Sequence, residues 1–269
     1  MNRAVLVAII VVMLLPVWFL IVGSLTEMRG LFIMPPRFWP RMPTLDNYRW
    51  VTSHPVLLWA RNSGIVLAMT VVLAVAVSAS GGYAFAFYSF RCKRVLWALL
   101  LSGVMVPRMS LIIPLFVVMR KLGVAGTLWS AVLPLCYMPM GLYLARAYFE
   151  TVPKGVMDSA RIDGANDLQI LLRIVAPISR PIITAIALFS GLGALGDYLW
   201  QLLQLQRPDV HTLLIGLMRA AMSRGGGEAT VNPIGYSLAS AVVLALPMLA
   251  IFLIANKYFV TALGGAVRE

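Results

Sequence analysis

The sequence predicts an all-α integral membrane protein, one domain over residues 1–269, that crosses the bilayer six times with both termini in the cytoplasm. Three observations lead there. Of its 269 residues, 61% are hydrophobic and 12% charged, against roughly 45–50% and about 25% in a soluble domain, so the polar coat is too small to cover the chain in water. The apolar residues gather into stretches of about 20, the length a helix needs to span the hydrocarbon core. The 22 Lys and Arg, which set a net charge of +12, fall singly or in twos and threes between those stretches. Loop and interface charges of a membrane protein are spread this way. A nucleic-acid surface would carry a basic stripe interleaved with aromatics, which this chain lacks.

The first span is expected at 4–25. Its apolar run exceeds a signal peptide's 7–15-residue core and no small-x-small cleavage site follows, so it reads as a retained helix. Residues 26–60 form a long connection. Pro35, Pro36, Pro40 and Pro43 crowd its middle, which favours extended chain because proline fixes φ and lacks a donor. Thr44 is placed to cap a short helix through Asp46, Asn47 and Tyr48. The second span, 62–87, is closed by Arg91, Lys93 and Arg94. The third, 95–118, contains Pro107, Arg108 and Pro114 and is expected to be broken. Such a break requires protein or a water-filled cavity beside it to satisfy the freed backbone groups. The fourth, 128–148, holds Pro134 and Pro139; the fifth and sixth are expected at 182–203 and 234–254. The six-span arrangement places 11 Lys and Arg on the side of the termini and 10 on the other, so the charge bias is slight. The concentrated run Arg91-Cys92-Lys93-Arg94 favours the cytoplasm for its loop, hence N-in and C-in. Cys92 and Cys136 are too isolated to form a disulfide framework or a metal site.

Four of the ten acidic residues lie between 150 and 167, in a cytoplasmic loop, 150–180, that reads as two short helices. Pro153 suits a first helical position, and Gly164 suits the left-handed residue that ends a helix. Asn166 or Asp167 can cap the second helix. Leu168, Leu171, Leu172 and Val175 recur at i, i+3, i+4 and i+7 and predict one apolar face. Pro177 and Pro181 stop that helix and open the fifth span. A helix–Gly–helix unit of this kind can serve as a docking knob, although on physical grounds alone an amphipathic connector lying on the membrane is the more ordinary reading.

Asp158-Ser159-Ala160, Asp163-Gly164-Ala165 and the closing Pro177 carry a resemblance. The loop resembles that of permease subunits of ATP-binding-cassette (ABC) importers, whose pattern runs from Glu-Ala-Ala through Asp-Gly-Ala to a proline. Arg161-Ile162-Asp163-Gly164-Ala165 is similar to the carbohydrate-uptake branch, the maltose-type second permease included. Pro35-Pro36, Pro43-Thr44-Leu45, Asn47-Tyr48, Tyr83-Ala84-Phe85-Ala86, Val106-Pro107, Ile113-Pro114-Leu115, Lys121-Leu122-Gly123, Tyr258-Phe259-Val260 and Gly265-Ala266-Val267-Arg268 extend the likeness along most of the chain. Leu195-Gly196-Asp197-Tyr198-Leu199-Trp200-Gln201 departs from the family's Trp-Asn-Asp/Glu-Phe-x-Trp-Pro pattern.

The resemblance implies a type I importer permease without catalytic or metal-ligating residues. It would form half of a pore with a second, homologous permease. Two separate ATPase subunits would bind ATP and Mg, and an extracytoplasmic solute-binding protein would deliver a sugar. No lysine is followed by Ser or Thr, so the chain has no conventional phosphate-binding loop of its own. The ATPase-coupling residues implied are Asp158, Ser159, Ala160, Asp163, Gly164, Ala165 and Pro177. Charges within spans are functional candidates by default, which singles out Arg108 and Asp197 as lining the substrate path. Tyr198 and Trp200 are candidates to stack on a sugar ring, or ordinary interface aromatics. Gly225-Gly226-Gly227 is expected to form a mobile tip that touches the binding protein. Three alternatives stay open: a permease for a non-sugar solute such as a polyol or glycerophosphodiester, an ion-coupled secondary transporter, and a membrane enzyme, for which His54 and His211 supply no metal-ligand spacing.

Overall fold

The computed structural model describes residues 3–31, 38–223 and 232–265, and all regular structure among them is helical. Pro35-Pro36, the Gly225–Gly227 tip and the end of the C-terminal Gly265–Arg268 stretch lie outside the described residues. The chain divides into two units, residues 1–63 with 211–249 and residues 64–210 with 250–269; two of the three boundaries fall inside long helices and the third between residues 210 and 211, outside them.

In the first unit, α1 (Arg3–Ser24) leaves most of its apolar side chains exposed, the surface a lipid-facing helix presents. After the short α2 (Met28–Leu31), α3 spans Asp46–Thr52. Thr44 Oγ1 accepts from the Asp46 N–H at 3.1 Å, although Leu45 rather than Thr44 sits at the cap position itself. Buried Asn47 and Asn232 form a polar knot. Asn47 Nδ2 donates to the Ser24 carbonyl at 2.8 Å, and Asn232 Nδ2 donates to the Thr26 carbonyl at 3.0 Å and to Asn47 Oδ1 at 3.2 Å. Each amide meets a group that would otherwise be buried unpaired. Trp50 stacks on Tyr236 with ring centroids 4.4 Å apart. The start of α4 (Val56–Phe87) packs Trp59 with Leu213 and Leu217 of α14 (Leu213–Ser223) and Ala239 of α15 (Pro233–Gly265).

The second unit carries the broken spans. The expected third span divides into α5 (Lys93–Ser102), a 3-10 turn at Arg108–Leu111 and α6 (Ile112–Lys121). The break falls at residues 103–107, where Pro107 is extended with ψ of 125° and offers no N–H to carry a ladder through. The fourth divides into α7 (Leu128–Cys136) and α8 (Pro139–Phe149), bent by 44° at Tyr137 and Met138. Pro134 lies within α7, whereas Pro139 opens α8 instead of interrupting a helix. The loop helices are α9 (Lys154–Ile162), α10 (Asp167–Ile170), a π turn at Leu171–Val175 and α11 (Ala176–Ile178). They lead into α12 (Arg180–Gly196) and α13 (Tyr198–Gln204). Three helices among the described residues (α1, α4 and α15) are long and apolar enough to cross a membrane, or five spans exist if the two bent pairs each count as one. The expected third span is not among them, because α5 and α6 have ten residues each. The second begins at Val56, earlier than its apolar run suggests.

Candidate functional site

The loop between α8 and α12 folds as a compact knob. Helix α9 ends with the Gly164 N–H on the Arg161 carbonyl (3.0 Å) and the Ala165 N–H on the Ala160 carbonyl (2.9 Å). This is the paired closure that a left-handed residue makes possible. Gly164 supplies it with φ of +84°, and no atom lies within 4 Å of where its Cβ would be. The next helix starts with a capping box, in which Asn166 Oδ1 accepts from the Gln169 N–H (2.9 Å) and Gln169 Oε1 from the Asn166 N–H (3.0 Å). The cap is therefore Asn166, and Asp167 takes the first helical position. Pro153 stands just outside α9, one position before the first helical residue, Lys154.

The predicted apolar face of the second helix is corrected. Leu171 and Val175 are buried, but Leu168 is 65% and Leu172 59% exposed, and Ile170 is fully buried. The i, i+3, i+4, i+7 template assumes 3.6 residues per turn. The π turn over Leu171–Val175 inserts an extra residue per turn and rotates the buried stripe. The resulting core joins Ile170, Leu171 and Val175 to Met157 and Ala160 of α9, Ala79 and Tyr83 of α4, Ala145 and Phe149 of α8 and Ile186 of α12.

A polar clamp adds to this core. The Tyr83 hydroxyl donates to Asp167 Oδ1 at 3.2 Å, and Arg161 Nη2 donates to the same oxygen at 3.4 Å. The Tyr88 hydroxyl, then the Tyr83 hydroxyl and the Arg161 guanidinium, hold the Asp167 carboxyl below its ordinary pKa. The same contact raises the pKa of Tyr88, and Asp167 raises that of Arg161. Beneath the clamp, α4 and α8 approach closely. A Cβ on Gly82 would lie 2.7 Å from the Ala145 Cβ and 3.0 Å from the Arg146 backbone nitrogen. Small residues permit such contacts between spans. The chain then turns by 89° at buried Ser179 into α12, so the knob is fastened to three long elements of its unit.

The sequence-derived coupling residues occupy distinct places in the knob. Asp158, exposed, lies 3.7 Å from Arg161. Ser159 Oγ donates to the Gly155 carbonyl. Ala160 is buried and Ala165 packs on the same core. Asp163 is the last residue before the Gly164 turn, and Pro177 is exposed in α11. The outward surface combines Asp158 with the apolar Ile162, Leu168 and Leu172. Tyr83 and Arg161 stood out in the sequence only as parts of resembling motifs and Tyr88 not at all, so none of the three was assigned this role. Tyr83 lies 84 positions from Asp167, and no spacing rule links them.

The two charged path candidates meet each other. Arg108 Nη2 and Asp197 Oδ2 are 3.0 Å apart, the arginine side chain 64% and the aspartate 12% exposed. They line an open cleft of about 480 Å³ beside the break in the third span, with Met109, Tyr137, Pro139 and Trp200 among its walls. Trp200 is buried, and its indole N–H donates to the Ser130 carbonyl at 2.8 Å. Tyr198 is half-buried at the start of α13. The Tyr137 hydroxyl donates to the Leu100 carbonyl.

Residues 78–264 match the model of the binding-protein-dependent transport system inner membrane component family. The chain is 32% identical over 228 residues to an arabinooligosaccharides transport system permease protein of Halalkalibacterium halodurans, covering 84% of this chain and 80% of the relative. It is 29% identical over 225 residues to a maltodextrin transport system permease protein of Bacillus subtilis, covering 82% and 78%. It also superposes on a chain of a bacterial ABC transporter involved in the import of the acidic polysaccharide alginate. That match has a TM-score of 0.83 and 22% identity and covers 96% of this chain and 95% of the other, a likeness of fold.

Proposed function

The chain belongs to the family of binding-protein-dependent transport system inner membrane components, and from that premise we propose that it forms half of the pore of an ATP-driven importer for an oligosaccharide. A second permease completes the pore, two separate ATPase subunits supply the work, and an extracytoplasmic binding protein delivers the solute. ATP and Mg are held by the ATPases, since no Lys-Ser or Lys-Thr pair occurs in this chain. The observation that carries this reading is the knob, whose second helix is tied to α4, α8 and α12 by one hydrophobic core and by the Asp167 clamp. A push on its exposed surface has rigid elements to move. The oligosaccharide assignment draws on the likeness to the arabinooligosaccharide and maltodextrin permeases.

Six crossings with both termini in the cytoplasm complete the proposal. The proline-broken pair α5 and α6 supplies the third crossing, and the knob faces the ATPases. Asp158, Ser159, Ala160, Asp163, Gly164, Ala165 and Pro177 form the coupling region, while Arg108, Asp197, Tyr198 and Trp200 belong to the path. The test is uptake of labelled oligosaccharide into proteoliposomes holding this chain with its second permease, ATPases and binding protein. Uptake is expected to require ATP on the ATPase side and to survive an ionophore. Uptake indifferent to ATP and abolished by the ionophore would assign the chain to ion-coupled transport instead.

A further inference from the structure

The charge balance of the cleft supports an inference about selectivity, which rests on the reading that an oligosaccharide passes this chain. Among the described residues, Arg108 and Asp197 are the only charged ones lining it; the other walls are apolar, aromatic, glycine or proline. The polar tips of Tyr137 and Trp200 are already engaged with backbone carbonyls. What the side chains of the cleft offer a solute is therefore one neutralised ion pair. The guanidinium carries five N–H donors, so binding Asp197 leaves others for hydroxyl oxygens, and the second Asp197 oxygen can accept from a hydroxyl. An acidic sugar meets a different balance. Its carboxylate would leave water for an apolar cleft whose one cation already has a partner, close to a second carboxylate. Repulsion strengthens as the local dielectric falls, and placing a like charge against the wrong ligand is an effective way to reject it.

We propose that Asp197 is a specificity-determining residue, which by neutralising Arg108 makes the cleft accept uncharged oligosaccharides and reject uronate-bearing ones. The test uses the assembled transporter (both permeases and the ATPases) in nanodiscs without the solute-binding protein, so that the binding protein's own selection does not enter. Binding of maltotriose and of trigalacturonate is measured for wild type, Asp197→Asn, Arg108→Gln and the charge-free double variant Arg108→Met/Asp197→Leu.

The maltotriose preference of wild type is expected to fall by about tenfold or more in Asp197→Asn, which leaves the cation unpaired. It should rise in Arg108→Gln and persist in the double variant. An unchanged ratio in Asp197→Asn, or the same loss in the double variant, would overturn the proposal, because the second result traces the effect to shape. Should Asp197→Asn fail to insert, Arg108→Gln decides alone: a ratio no higher than that of wild type overturns the assignment. A wild-type transporter that binds neither sugar and imports no oligosaccharide in proteoliposomes would contradict the proposed function itself. Wild-type import with unaltered ratios in the variants would contradict only the role given to Asp197.

Discussion

Asp167 illustrates how one carboxylate can hold the knob between α8 and α12 in place. Its folded pKa is depressed by the Tyr88 and Tyr83 hydroxyls and by Arg161, so the clamp is fully present above the ordinary carboxylate value, about 3.9. It is lost as pH falls through the lower folded value. Asp167→Asn should therefore speed hydrogen exchange in α9 to α11 relative to wild type at neutral pH. The difference should stay constant between about pH 5 and 8 and shrink below about pH 4. An equal difference at every pH would place the effect outside ionisation. Gly164 was legible in the sequence because a left-handed helix end selects glycine on local grounds, and φ of +84° bears this out. The tyrosines were illegible because their role depends on a contact across 84 residues. The meeting of Arg108 with Asp197 was hidden for the same reason; each stood out as a charge in an apolar run, while the pairing spans 89 positions.

Among the elements, Pro107 marked the break in the third span and Pro139 the start of α8, because the missing donor acts locally. By contrast, Pro16, Pro134 and Pro247 sit inside helices, and the expected fifth span breaks at Asp197 without a proline. The apolar face of the second loop helix was misread because periodicity cannot register a π turn. That turn leaves Leu168 and Leu172 outside the core on the knob's outer surface. Close packing was likewise invisible, as one glycine resembles another until its neighbours are known. Gly64 and Gly82 share α4, yet a Cβ at Gly64 meets nothing within 4 Å while one at Gly82 meets the α8 backbone. Gly82→Ala should lower stability in detergent by about 1–3 kcal/mol, the cost of overpacking. Gly64→Ala should be neutral or stabilising by up to about 1 kcal/mol from helix propensity. Thermal melts of the two variants check this, and equal melting temperatures would contradict the close approach.

For the whole molecule, composition identified a lipid-embedded helical chain, but hydropathy counts apolar residues and not unbroken helix. That is why six spans are expected while the described residues hold three long helices and two bent pairs, with the third expected span split into two ten-residue helices. Orientation can be read from a native reporter. Cys92 is free and exposed between α4 and α5, so in a Cys136→Ser background a membrane-impermeant maleimide should label inside-out vesicles and spare intact cells. Labelling of intact cells would reverse the topology. The central claim is that work enters at the Gly164 turn, and substrate-stimulated ATPase activity of the assembled transporter carrying Gly164→Asp tests it most directly. No atom lies within 4 Å of the added Cβ, and the left-handed backbone costs a non-glycine residue only about 1–2 kcal/mol. The variant should therefore insert and assemble, yet show neither transport nor stimulation of ATP hydrolysis by substrate. Normal substrate-stimulated hydrolysis in that variant would contradict the account.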